Sequence, residues 1–180
     1  MLGGRRREQR REERHGRGAV HYRVRQKLFS IGDDYWIEDD HGERVFKVDG
    51  KALRVRKTLI FEDAHGSELL KIQERMLRLR DTMEIEDRDG HSVATVKEAM
   101  VTPLRERWTV KVANGPDLDV QGNILDHEYT IDDGRSRVAE VSKKWFRVAD
   151  TYGVEVAPGQ DLVLLLAIAV VLDTMAHKAR

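Results

Sequence analysis

The sequence predicts a mainly β (α+β) fold, a closed antiparallel β-barrel around a central hydrophobic C-terminal α-helix. Three features predict it: apolar and polar residues alternate from residue 20 to about 156, an acidic turn motif recurs at fixed spacing, and one unbroken apolar run lies near the C terminus. A chain of 180 residues corresponds to one domain. We divide it into a flexible basic arm, residues 1–19, and a single barrel domain, residues 20–180.

Charge and cysteine content narrow the function classes. Lys and Arg together number 32, as do Asp and Glu, and this balance argues against a nucleic-acid-binding protein. The arm holds seven arginines and three glutamates, a net charge of +4, which leaves −4 for the rest. It is either a solvated segment or an electrostatic tether to anionic lipid or nucleic acid. The sequence has no cysteine, which excludes disulfides, thiolate metal sites and cysteine nucleophiles and suits a cytoplasmic location.

The middle of the chain has the period of β-strands. Trp108 and Val110 alternate with Thr109 and Lys111, as expected for a strand with one buried and one wet face. Such segments recur about every ten residues with turn residues between them, a spacing typical of an all-β sandwich or barrel. We assign all three tryptophans to the core in preference to a role as membrane anchors: Trp36, Trp108 and Trp145.

An internal repeat defines the turns. Asp39, Asp63 and Asp87 are each followed three residues later by glycine, 24 residues separate one Asp from the next, and Asp133 begins a shorter version. An Asp that accepts backbone N–H groups and a Gly at positive φ together form a tight turn. These acids lack the ligand spacing and distal Glu of an EF-hand, so we predict hairpin turns and no metal site.

The last segment predicts a helix that the barrel surrounds. Eleven apolar residues run from 162 to 172, Asp161 before them can cap a helix, and Asp173 ends the run. Eleven residues span roughly 16 Å, about half of a bilayer's hydrocarbon core, so we predict no transmembrane span. A helix that is apolar on every face must be enclosed, and a barrel of about twelve strands has a lumen of suitable width.

Several segments resemble one family in sequence order. They are DVQGN at 119–123, VAEVSKKW at 138–145 and DTYGVEV at 150–156, with the Asp-x-x-Gly hairpins before them and the apolar helix with Asp173 after them. Together these resemble the LURP-one-related family, a branch of the tubby C-terminal-like superfamily to which phospholipid scramblases also belong. The resemblance covers about residues 20–176. It implies a twelve-stranded barrel around a hydrophobic helix, which agrees with the pattern.

The resemblance implies little about activity. Tubby domains bind phosphoinositide head groups, scramblases are membrane-associated and calcium-responsive, and plant LURP-one relatives are linked to defence. The tubby lipid-binding string is not recognisable here, and the cysteines that carry palmitate in scramblases are missing. The acidic segment before the scramblase helix corresponds to Asp150, Glu155 and Asp161, but these are too few for calcium, and we expect turn and capping roles for Asp150 and Asp161.

We expect no enzyme activity and no cofactor. The sequence contains no nucleophile elbow, no dinucleotide-binding glycine motif and no Walker loop. His127 and Glu128 lack the second histidine of a helical zinc motif. A site assembled from distant strands stays possible.

Basic residues are the candidate binding groups. Arginine and lysine on outward-facing positions can bind phosphate, arginine through its planar fork. The candidates for anionic lipid are Arg54, Arg56, Arg78, Arg80, Lys143 and Lys144. A balanced, solvated surface is the alternative reading of these residues.

Three hypotheses follow. The first is a non-catalytic cytoplasmic module that binds anionic phospholipid or phosphoinositide head groups at a membrane surface. The second is a scaffold for an unknown protein partner, with no lipid role. The third is a scramblase-like membrane protein, and the short apolar run argues against it.

Overall fold

The structure is a computed structural model that describes residues 18–26, 34–50, 57–75, 82–102, 105–146 and 151–178. Within these ranges the chain forms twelve β-strands and one α-helix. In chain order these are β1 Val20–Gln26, β2 Tyr35–Glu38, β3 Arg44–Gly50, β4 Thr58–Asp63, β5 Glu68–Glu74, β6 Thr82–Glu86, β7 Ser92–Thr102, β8 Arg105–Val112, β9 Leu118–Asn123, β10 Glu128–Asp132, β11 Arg137–Ser142, β12 Thr151–Val156 and α1 Leu162–Lys178.

The twelve strands close into an antiparallel barrel. Each strand pairs with its neighbours in sequence, and β1 pairs with β12 from Val20 opposite Val156 to Arg25 opposite Thr151. Closure gives every strand two partners, which removes the open edges on which sheets aggregate. The predicted fold class, including the strand number, is confirmed.

Helix α1 lies inside the barrel. All residues from Leu165 to Ala176 are buried, and they form one core with inward-facing strand residues such as Ile37 and Phe61. The Asp161 carboxylate accepts the N–H of Leu164 at 3.0 Å, so the predicted helix cap is confirmed. The helix continues to Lys178, beyond the end of the apolar run.

The predicted turn chemistry is confirmed in detail. Asp63 Oδ1 accepts the N–H groups of His65 and Ser67 at 2.8 and 2.9 Å, and Gly66 has a φ of 80°. The other turns of the repeat have the same double acceptor and a glycine at φ 80–83°; they begin at Asp39, Asp87 and Asp133.

The carboxylates of these turns make the stability of the fold depend on pH. N–H donation from Ser67, His91 and Ser136 is the main cause that lowers the pKa of Asp63, Asp87 and Asp133, respectively. A carboxylate whose pKa is lower in the folded chain stabilises the fold above its unfolded pKa of about 3.9. This stabilisation is lost as the pH falls through the folded pKa.

We therefore expect the free energy of unfolding to decline below about pH 4, and to decline less in a variant with all three Asp changed to Asn. Asparagine keeps the accepting oxygen but does not titrate in this range. Urea titrations at several pH values between 2.5 and 6 measure the difference. Identical pH profiles for the two proteins would contradict it.

The tryptophans divide between core and outer face. Trp108 is buried inside the barrel, as predicted. Trp36 and Trp145 are only partly buried, and Trp36 lies under the Arg44 guanidinium at 4.5 Å. The core assignment is wrong for these two, because Trp36 has the opposite strand parity to buried Tyr35 and Ile37, and Trp145 follows the end of β11.

Candidate functional site

Two of the six basic candidates lie within the described residues. Lys143 and Lys144 are exposed and occupy a short 3₁₀ turn, Lys143–Trp145, directly after β11. Four others lie outside the described residues, as do positions 1–17 of the basic arm, and stay predictions: Arg54, Arg56, Arg78 and Arg80.

The 3₁₀ turn and the next residue form a strap, residues 143–146, which β10 and the turn before it hold in place. The N–H of Lys143 donates to the carbonyl of His127 at 3.0 Å. Glu128 Oε1 accepts from Ser142 Oγ at 2.9 Å and from the Lys144 N–H at 3.1 Å. The backbone of both lysines is therefore held in place by hydrogen bonds to His127 and Glu128.

Aromatic residues of the strap cover the outer face of β12. A Cβ atom on Gly153 would lie 2.3 Å from Trp145 Cε3, so only glycine leaves room for this ring. The Arg23 guanidinium lies 4.5 Å from the centre of the Phe146 ring. Since α1 covers the inner face, all six residues of β12 are buried.

A cavity of about 420 Å³ lies beside the strap. Lys144 Nζ contacts Glu128 Oε2 at 3.2 Å, and Asn123 Nδ2 donates to Asp126 Oδ2 at 2.6 Å. No ion-pair partner of Lys143 is found among the described residues. Two lysines and two acids line the cavity, so their charges balance. The lining residues are Asn123, Asp126, Glu128, Lys143 and Lys144.

A second polar cluster lies inside the barrel around the one acid of α1. Asp173 is 2% exposed; its Oδ2 accepts from the Tyr35 hydroxyl at 2.9 Å, and its Oδ1 from His127 Nε2 at 2.5 Å. The His127 ring stacks on Tyr152 at 4.3 Å, and His127 has a φ of 52°, unusual for a residue with a side chain. His127 thus links the interior carboxylate to the strap. Its ring bonds Asp173, and its backbone carbonyl accepts the N–H of Lys143.

The family model described as LURP-one-related matches residues 20–173. The chain belongs to the LURP-one-related family. It is 29% identical over 154 residues to the uncharacterised protein YxjI of Bacillus subtilis (strain 168), covering 86% of this chain and 92% of that protein. The X-ray structure of the Arabidopsis thaliana protein AT5G01750 superposes with a TM-score of 0.66 at 20% identity, covering 88% of this chain and 91% of that one. The Arabidopsis protein therefore shares the fold.

The acids suggested by the scramblase comparison have other partners in this LURP-one-related chain. Buried Glu155 accepts from His21 Nε2 at 2.5 Å through Oε2, and Asp161 caps α1. Asp150 lies outside the described residues. Glu155 and Asp161 thus make contacts within the fold and have no need of a calcium ion.

Three other groups could approach a metal ion. Ligand atoms of Asp87, Asp89 and His91 lie within 4.8 Å of one another in an exposed hairpin turn. Asp87 Oδ1 already accepts two backbone N–H groups, and hard cations take six to eight oxygen ligands. The arrangement is accounted for by the turn itself.

The interior tyrosines are held in the neutral form. Burial, with a smaller contribution from the charge of Asp173, raises the pKa of Tyr129 and Tyr152 well above the ordinary value. Both phenols therefore stay protonated at neutral pH. No hydrogen-bond partner of either hydroxyl is found among the described residues.

Among the described residues, no helix is both long enough and apolar enough to cross a bilayer.

Sequence reasoning identified the two lysines but missed the residues around them. Asn123, Asp126 and Glu128 were not selected, although the segment Asn-x-x-Asp before a strand is a turn signal. Asp173 was noted as the end of the apolar run and as part of the family resemblance, but not as a buried carboxylate. A carboxylate in a helix buried on every face requires hydrogen-bonding partners, and that requirement was the available signal.

Proposed function

We propose that this LURP-one-related barrel is a non-catalytic module that binds anionic phospholipid head groups at a membrane surface, on the cytoplasmic side. The observation that supports it most is the strap, where exposed Lys143 and Lys144 adjoin partly buried Trp145 and Phe146. Lysines near an anionic surface contribute roughly 1 kcal/mol each. The Trp145 indole combines an apolar ring with a polar N–H, which suits the boundary between water and lipid.

The barrel is a rigid support for such a surface. The strap is hydrogen-bonded to β10 and packs on β12. Its lysines can therefore bind a membrane without the entropy cost of ordering a flexible loop. A scramblase-like role with α1 in the bilayer would require the barrel to open, because twelve consecutive residues of α1 are buried within it. Peripheral binding needs no such change.

Liposome co-sedimentation tests the proposal. We expect the full-length chain to bind vesicles that contain anionic lipid, and a variant without residues 1–19 to retain binding. The double change Lys143→Glu and Lys144→Glu is expected to weaken binding about 30-fold or more, which corresponds to about 2 kcal/mol. Binding should also fall as salt is added, because screening acts within about 8 Å at physiological ionic strength.

The control is a second charge reversal of equal size away from the strap. Lys97 and Lys111 are exposed on β7 and β8, and changing both to Glu alters the net charge by the same amount. Equal weakening by the two double variants would show that net charge alone matters and would contradict a site at the strap. If anionic vesicles are ignored even at low salt, a protein-interaction scaffold becomes the better interpretation, which the balanced net charge also favours.

A further inference from the structure

The cavity beside the strap presents one available charge of each sign. Glu128 is occupied, because its two oxygens receive Ser142 Oγ and both the N–H and the ammonium of Lys144. Asp126 receives one amide N–H from Asn123, while a carboxylate has about four acceptor positions. Lys143 and Asp126 are thus the groups that remain to meet a ligand.

This pairing determines the chemistry that fits. A lysine ammonium binds a phosphate, and a carboxylate binds a primary ammonium through charge-assisted hydrogen bonds. A ligand with several phosphates fits poorly, because the lining carries no excess of positive charge and two of its side chains are acids. The cavity volume is within the range of small-molecule sites.

We infer that the cavity takes a phosphate ester that carries a primary ammonium, the head-group chemistry of the aminophospholipids. The phosphate meets Lys143 and the ammonium meets Asp126. The inference rests on the proposed function for the lipid as the source of this group, and it adds a preference among phospholipids. A soluble phosphoamine has the same chemistry, so the experiment includes both sources.

The inference predicts that one substitution affects the binding of two lipids of equal charge differently. Asp126→Asn removes the partner of the ammonium, so binding to phosphatidylserine vesicles should weaken about three- to fivefold, as expected for one exposed ion pair. The same change removes a negative charge that repels an anionic surface. Binding to phosphatidylglycerol vesicles should therefore stay equal or strengthen.

The experiment uses the full-length chain and vesicles of phosphatidylcholine with equal fractions of phosphatidylserine or phosphatidylglycerol. A second pair of vesicles, with and without phosphatidylethanolamine, tests the ammonium without added surface charge. Asp117→Asn is the matched control. Asp117 is an exposed acid that directly precedes β9, whereas the cavity lies at the other end of this strand, at Asn123. Amide NMR shifts on addition of phosphoethanolamine or inorganic phosphate report on the soluble source.

The outcomes separate the two claims. Preference for phosphatidylserine, lost in Asp126→Asn and kept in Asp117→Asn, supports the inference. Equal binding of the two anionic lipids, or equal effects of the two Asn variants, overturns it and leaves the proposed function standing. If no vesicle binds but phosphoethanolamine shifts the amides of residues 126 and 143, the proposed function is wrong and the ligand is a free phosphoamine. If neither source binds, both claims are wrong.

Discussion

Leu165→Asp is expected to prevent stable folding. Leu165 is 3% exposed within α1 and belongs to the hydrophobic core of the barrel. The change loses roughly 2 kcal/mol of hydrophobic burial and places an unpaired carboxylate in the core, which costs several more. The sum approaches the total stability of about 5–15 kcal/mol that small domains have. Soluble yield and the thermal unfolding transition followed by circular dichroism measure the effect.

Leu162→Asp is the matched control for this result. Leu162 is the first residue of α1 and only partly buried, and a carboxylate near a helix N-terminus interacts favourably with the helix dipole. This variant should fold with a modest loss of stability. A Leu165→Asp protein that expresses and melts like the parent would mean that α1 does not lie inside the barrel.

The native Asp173 shows why partners matter more than burial alone. It lies in the same enclosed helix, yet Tyr35 and His127 both donate to it. A buried carboxylate is tolerated where hydrogen bonds replace the water it has lost. Leu165 belongs to the hydrophobic cluster of the core, so the same chemical group is expected to have opposite consequences at the two positions.

The fold was predictable because its signals are local. The Asp63 turn depends on residues within four positions of the Asp, and the alternation around Trp108 depends on next-but-one neighbours. The lumen was inferred by one further physical step: an apolar helix too short for a bilayer must be enclosed by protein. Each of these steps needs only residues close together in the sequence.

The polar cluster around Asp173 and the lining of the cavity were not predictable in the same way. Asp173 meets His127 from 46 positions away and Tyr35 from 138, and Glu155 meets His21 from 134. Only barrel closure and the insertion of α1 bring these groups together. The cavity likewise combines the turn before β10 with the strap after β11, so Asp126 and Lys143 could be placed at one cavity only once the strand order was known.

Gly122→Ala is the second change with a large expected effect, because Gly122 links the barrel wall to the cavity. It has a φ of 143°, and an added Cβ would lie 2.4 Å from the Glu128 carbonyl oxygen and 2.6 Å from Tyr129 Cα. These atoms belong to the backbone of the adjacent strand, so the clash cannot be relieved by rotating a side chain. We expect a loss of about 3 kcal/mol or more, combining backbone strain with displacement of β10.

Gly90→Ala separates the two causes of that loss. Gly90 also has a positive φ, 83°, but an added Cβ would meet no atom within 4 Å. This change should cost only about 1–2 kcal/mol, the penalty for a side chain in the left-handed region. Urea unfolding of both variants measures the difference, and equal losses would contradict the close approach of β9 to β10. Since Glu128 lines the cavity and holds Lys144, the Gly122 variant should also bind anionic vesicles more weakly than the Gly90 variant while both remain folded.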